Sequence, residues 1–150
     1  MNIHQAERSH IEDIVDFQVV MARETEDLIL NHGTVRKGVE SLFDDPSKGQ
    51  YYVVTENKKT IACTLTVPEW SDWRNGTVLW IHSVYVIPEH RRKGIFRLIY
   101  EYLKNKVIVN ESLMGLRLYV EKSNSKAQNV YESLGMNGEH YRMYEWLKYE

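Results

Sequence analysis

Val84-Tyr85-Val86-Ile87-Pro88-Glu89-His90-Arg91-Arg92-Lys93-Gly94-Ile95 is the stretch on which the reading of the fold turns. An alternating apolar strand ends at Pro88, because proline cannot donate to a ladder. A short basic loop follows, then a glycine. From there Ile95, Leu98, Ile99, Tyr102 and Leu103 fall on one helical stripe. A helix N-terminus presents unpaired N–H groups and about half a positive charge, which suits an anion. Arg91, Arg92 and Lys93 in front of it point to a pyrophosphate. Gly94 lets the backbone come close where a Cβ would intrude. The Gly-Lys-Ser/Thr ending of a Walker loop and the G-x-G-x-x-G dinucleotide fingerprint are both missing.

Upstream of this stretch, Thr77–Val86 reads as a long strand with Val78, Trp80, His82, Val84 and Val86 on one face. Tyr51–Thr55 and Thr60–Val67 flank Glu56-Asn57-Lys58-Lys59 as a hairpin. Ile3–Ala6 suits a short first strand. Ser9 and Glu12 have capping-box spacing ahead of a helical stripe of Ile11, Ile14, Val15, Val19 and Ala22. A second helix is expected over Thr34–Phe43. Downstream, Gly115–Val120 suits a strand. Ser125 opens a helix carrying Ala127, Val130, Tyr131 and Leu134, which Gly135 caps. Tyr141–Leu147 is expected to close the sheet. The order β-α-α-β-β-β-α-β-α-β implies an α/β (α+β) domain, a mixed sheet of about six to seven strands flanked by about four helices.

The 150 residues suit one domain over 1–150, with no repeat or Pro/Gly/Ser-rich linker. Hydrophobic residues at 43% and charged residues at 27% exclude collagen-like and mostly disordered classes. The longest apolar runs, such as Val19–Ala22, fall far short of the roughly 20 residues that span a bilayer. Charges among the first thirty residues exclude a signal-peptide core. A lone cysteine, Cys63, fits a reducing compartment, and a cytoplasmic location is expected. Net charge is only −2. However, residues 1–50 hold five Lys+Arg against ten Asp+Glu, while Glu89–Lys106 holds six against two. One basic loop in a net-acidic chain makes too few phosphate contacts for nucleic-acid binding. The six histidines lack zinc-site spacing, so no metal is expected.

Arg91-Arg92-Lys93-Gly94-Ile95 resembles the Arg/Gln-x-x-Gly-x-Gly/Ala loop of the GNAT family of N-acetyltransferases. Asn124-Ser125-Lys126-Ala127-Gln128-Asn129-Val130-Tyr131-Glu132-Ser133-Leu134-Gly135-Met136 is similar to that family's Asn/Tyr helix, and the order of elements also agrees. Phe96 departs from the pattern at its last Gly/Ala position, where its backbone N–H would serve equally; its ring would pack outward beside Tyr100 or narrow the donor site.

The resemblance implies acetyl transfer from acetyl-CoA to a primary amine of a small molecule, protein or peptide, by direct attack in a ternary complex. It implies donor contacts from Val84, Tyr85, Val86, Arg91, Arg92, Lys93, Gly94, Ile95, Phe96 and Asn124, and it implies that Tyr131 hydrogen-bonds the departing thiolate. Family members are often dimers, so a homodimer is a possible expectation. For the general base, His82 and Glu69 are the candidates; His82 could equally be a satisfied core residue. For the acceptor they are Glu24, Trp70, Asp72 and Trp73, two tryptophans and acids that could cage a cationic amine. Alternatively, the tryptophans cap the sheet and Asp72 and Asn75 make its turn. A coenzyme A-binding or sensor module without catalysis is the rival reading.

Overall fold

Burial on both faces marks the centre of the sheet: Tyr51–Val54 and Thr60–Thr64 are all buried. Adjacent side chains point to opposite faces, so such runs need helices on both sides. Tyr51 stacks on Phe43 at 6.2 Å, while the next residue, Tyr52, meets Tyr102 edge-on at 5.6 Å. These two rings fix which helix covers which face.

The structure, a computed structural model, describes residues 1–149. The unit Met1–Arg117 holds a five-stranded sheet in the order β1-β2-β3-β4-β5. Its strands are β1 Asn2–Gln5, β2 Gln50–Glu56, β3 Lys59–Ser71, β4 Gly76–Val86 and β5 Leu113–Arg117. The first four are antiparallel neighbours; β5 runs parallel to β4. A parallel neighbour requires a crossover, supplied by α3, Ile95–Val109. The helices α1 (Ile11–Glu26) and α2 (His32–Asp44) join β1 to β2. Ile14 and Val15 of α1 are fully buried, and Phe17 meets Tyr85 of β4 at 5.0 Å. On α3, Ile99 and Leu103 are equally sealed.

A second unit begins at Leu118 and contains α4, Ser125–Ser133. Asn124 caps it by accepting from Ala127 N–H at 3.1 Å. At its end Met136 N–H reaches Tyr131 O and Gly135 N–H reaches Glu132 O, the paired bonds of a Schellman motif with Gly135 left-handed.

Several expectations are corrected. The sheet has five strands among the described residues, and Tyr141–Leu147 belongs to none of them. Its period-2 pattern is suited to a strand, but a strand exists only with a paired neighbour. The Ser9–Glu12 box is replaced by one two residues earlier, Glu7–His10. A 3-10 turn, Arg8–His10, precedes α1, and Glu7 N–H donates to His10 Nδ1 at 2.9 Å. The β3–β4 hairpin is longer than expected, because Glu69 and Trp70 continue the ladder opposite Val78 and Thr77.

Gly49, between the 3-10 turn Pro46–Lys48 and β2, has φ +156°, and a Cβ there would lie 2.6 Å from the backbone oxygen of Thr66. Gly49→Ala should lower stability by more than about 1 kcal/mol. Urea unfolding should show a lower midpoint at unchanged slope; an unchanged midpoint would show that this corner yields without cost.

Candidate active site

Strand β4 carries an extra residue where it passes β3. Cys63 faces Tyr85 and Leu65 faces His82, so two steps along β3 span three along β4. Ser83 absorbs the surplus at φ +53°. A non-glycine residue held there costs of order 1–3 kcal/mol, so its surroundings must compensate. Thr64, fully buried, donates its hydroxyl to His82 O at 3.0 Å across the bulge. Beyond the bulge, Ile87 N–H donates to Ile61 O at 3.0 Å. Backbone groups alternate in direction along a strand, so the amides of Val84 and Val86 turn to the edge away from β3. Strand β5 stops pairing at Trp80↔Arg117, so no described strand of this unit pairs with that edge beyond Trp80.

The basic loop is tied down on several sides. Arg91 donates through Nε to Val86 O at 2.9 Å and pairs with Glu24 of α1 at 2.7 Å. Its guanidinium also lies 5.5 Å from the centre of the Tyr85 ring. His90 contacts Glu56 at 2.8 Å, which holds that carboxyl below its usual range, and Lys59 reaches Glu89 at 3.5 Å. Arg92 and Lys93 are exposed. Positive φ at Arg92 (+62°) and Gly94 (+75°) turns the chain into α3. A Cβ on Gly94 would meet nothing within 4 Å, so in this protein the glycine supplies the left-handed turn rather than room.

No described side chain caps α3, whose bonding begins with Leu98 N–H to Gly94 O at 3.0 Å. The N–H groups of Ile95, Phe96 and Arg97 come before that first bond. Phe96 stacks on Tyr100 at 6.5 Å, so its ring packs along the helix and its backbone stays at the helix start.

The two base candidates part company here. His82 sits two residues before Val84, half-buried, with its ring 6.3 Å from that of Trp80. Burial holds its imidazole below the ordinary 6.5, so it is neutral near pH 7 and can accept a proton. Glu69 lies opposite Val78, roughly 20 Å along β4 from Val84 at about 3.4 Å per residue. Both its oxygens are engaged, by Trp80 Nε1 at 2.9 Å and Arg117 at 2.7 Å. That makes it a brace across three strands.

The acceptor candidates also disperse. Trp70 and Trp73 are 65% and 89% exposed, at the far tip of the β3–β4 hairpin. Asp72 accepts from Trp73 N–H at 3.0 Å and so shapes the turn. Rings open to water form no desolvated cage, and the tip is more than about 25 Å along β4 from Val84. Glu24 is committed to Arg91.

In the second unit Tyr131 is half-buried, and burial raises its phenol above the usual value. The Asn124 side-chain oxygen serves as helix cap. Among the described residues no group of three or more His, Cys, Asp or Glu could hold a metal ion, and no helix is long and apolar enough to cross a membrane. The bulge at Ser83 was missed in the sequence, since nothing there signals a left-handed residue. The pairings of Arg91 with Glu24 and of Arg117 with Glu69 were missed because the partners are distant along the chain.

The chain is similar to known proteins in sequence profile and in fold. The profile of the Acetyltransferase (GNAT) family matches residues 16–136. A possible acetyltransferase from Clostridium difficile 630 is 44% identical, with a TM-score of 0.92 over 99% of this chain and 98% of its own. An aminoglycoside 6'-N-acetyltransferase from Acinetobacter haemolyticus shares the fold at 15% identity and TM-score 0.75, over 100% of both chains. A ribosomal-protein-alanine N-acetyltransferase from Brucella melitensis biovar Abortus 2308 does so at 13% and 0.78, over 97% of this chain and 98% of that one. No curated protein matches the chain significantly. With the family profile spanning both units, the chain belongs to the GNAT family of acetyltransferases, and the chemistry its site serves is acyl transfer.

Proposed function

We propose that the protein transfers the acetyl group of acetyl-CoA to a primary amine. The observation that carries this reading is the bulge at Ser83, after which the Val84 and Val86 amides face an edge that no described strand of their unit pairs with, leading to the start of α3, which no described side chain caps. That set of donors fits the coenzyme: a strand edge for its amide-bearing arm and a helix start with Arg92 and Lys93 for its diphosphate. The coenzyme supplies the activated thioester. The β4 amides take up the negative charge that develops on the carbonyl oxygen, a contribution of roughly 3 kcal/mol per donor. His82, two residues away, removes the proton from the incoming ammonium, directly or through water.

Arg91 acts as a positioning residue that clamps the loop onto α1 through Glu24. Tyr131 enters on its match to the family's Asn/Tyr helix. Its raised pKa makes full proton transfer to a thiolate less favourable, so its hydroxyl serves as a hydrogen-bond donor to sulfur. Asn124 sets the start of the helix that carries it. A cationic acceptor agrees with the net −5 of residues 1–50, and the two named amine acetyltransferases share the fold. A family profile that runs from 16 to 136 supports treating both units as one acetyltransferase domain.

Acetyl-CoA at a hundredfold excess over Kd should add about 2.7 kcal/mol to stability, a rise of several degrees in Tm. Gly94→Pro should abolish that rise, since proline cannot reach φ +75°. A shift that survives in a folded mutant would place the donor elsewhere.

The lowered pKa of His82 fixes the sign of the pH dependence. kcat/KM should be level near neutrality and fall as acid protonates His82, with the inflection below 6.5. His82→Gln should reduce kcat/KM about a hundredfold at pH 7.5 and remove that inflection. An inflection retained in the mutant would assign the base to another group.

Tyr131→Phe keeps the ring and loses the hydroxyl. Turnover should fall at least about tenfold where chemistry limits the rate, with Tm unchanged. Unchanged turnover would make Tyr131 a packing residue.

A further inference from the structure

Along β4 the side chains of Val78, Trp80 and His82 share one face, since residues two apart point the same way. Strand β5 stops pairing at Trp80↔Arg117, so Trp80 is the last of the three with a described strand of its unit on both sides. Glu69, opposite Val78 on β3, accepts from Trp80 Nε1 at 2.9 Å through one oxygen and from Arg117 Nη1 at 2.7 Å through the other. The carboxylate therefore bridges β3 and β5 across β4 and holds the indole on the way. The next ring along that face is His82, 6.3 Å away between centres and tilted by 37°. Beyond it Ser83 takes the left-handed turn.

We propose that Glu69 is a positioning residue: by tethering the Trp80 indole it fixes the place of the His82 imidazole beside the bulge and shields its flank from water. The inference rests on the reading of His82 as the base. A base must stand within hydrogen-bond reach of the proton it takes, and misplacement by about 1 Å can cost on the order of a hundredfold.

Action through the indole and action through charge have opposite signs. Glu69 lies opposite Val78, four residues or roughly 14 Å along β4 from His82, beyond the ~8–10 Å over which exposed charges act at ordinary salt. Acting through charge, loss of the carboxylate would lower the proton affinity of His82, and an unpaired Arg117 would lower it further. Acting through the indole, loss of the tether admits water to a ring whose affinity burial depresses, and so raises it. The other titratable groups on this face do not blur the sign. Burial keeps Tyr51 of β2, Cys63 of β3 and Tyr85 of β4 protonated, and Glu24 of α1 is paired with Arg91.

Proton NMR of the full chain, without coenzyme or acceptor, tests it; the His82 ring signal is the one absent from His82→Gln. Its midpoint should lie below 6.5 in wild type, rise toward 6.5 in Glu69→Ala, and return in Glu69→Gln, whose carbonyl still accepts from Trp80 Nε1. Turnover should follow, with kcat about tenfold lower in Glu69→Ala at unchanged KM for acetyl-CoA and largely restored in Glu69→Gln. A midpoint that stays or falls in Glu69→Ala would overturn the proposal. So would a Glu69→Gln variant as slow as Glu69→Ala, the mark of a carboxylate that itself takes the proton. Should Glu69→Ala misfold, Trp80→Phe keeps a ring and loses the tether, and a His82 midpoint unmoved there would also overturn it. The titration is independent of catalysis: activity retained in His82→Gln would move the base elsewhere, while the midpoints still decide whether the tether holds His82.

Discussion

One left-handed residue in the middle of a strand governs the working face of this protein. With Ser83 at φ +53°, β4 gains a residue against β3 and its later amides turn to an edge that β5 does not follow. A regular β4 would continue the ladder and leave no row of backbone donors for a ligand. The strain is held because the flanking strands cannot relax: Val53, Ala62, Cys63 and Thr64 are fully buried, and the Thr64 hydroxyl takes up the carbonyl that the bulge displaces. Pro88 then stops the strand, and the chain reaches the helix start within six residues.

The loop between strand and helix is held by polar side-chain contacts to three separate parts of the fold. Arg91 reaches Glu24 on α1, His90 reaches Glu56 at the end of β2, and Glu89 reaches Lys59 at the start of β3. The two exposed pairs, Arg91–Glu24 and Lys59–Glu89, each contribute little in water, too little to explain their presence as stabilisation. Their effect is positional. The loop's neighbouring basic side chains, Arg92 and Lys93, are thereby presented to solvent beside the start of α3. Removing any one anchor therefore loosens the geometry more than the fold.

How much of this was legible in the sequence depended on range. Local signals were dependable: Pro88 ended β4, Gly94 opened α3 and Gly135 closed α4, whose cap fell on Asn124, one residue before the expected Ser125. The alternating strands were found with ends displaced by a few residues, since pairing partners decide where a ladder stops. The site was half legible. Arg91 to Gly94 stood out because loop, glycine and helix stripe are adjacent. Glu69 was a base candidate and Glu24 an acceptor candidate, and their partners Arg117 and Arg91, 48 and 67 residues away, could not be seen from the sequence. For Trp70 and Trp73 the sequence left a cage and a capped turn both open, because spacing cannot tell a hairpin tip from a pocket rim. Tyr141–Leu147 shows the converse failure: strand-like alternation describes an appetite for pairing, and the described sheet does not satisfy it.

The sealed cysteine has a practical consequence for kinetic work. Cys63 has no accessible surface, lies 3.8 Å from Gln18 Nε2, and burial pushes its thiol up to about 12. Only the thiolate attacks disulfide dyes, and burial both disfavours the thiolate and closes it behind the sheet. As the chain's single cysteine, it leaves the folded protein silent toward such reagents. A colorimetric trace of liberated thiol then reads product alone, and a slow drift in an enzyme-only blank becomes a direct gauge of how often the core opens.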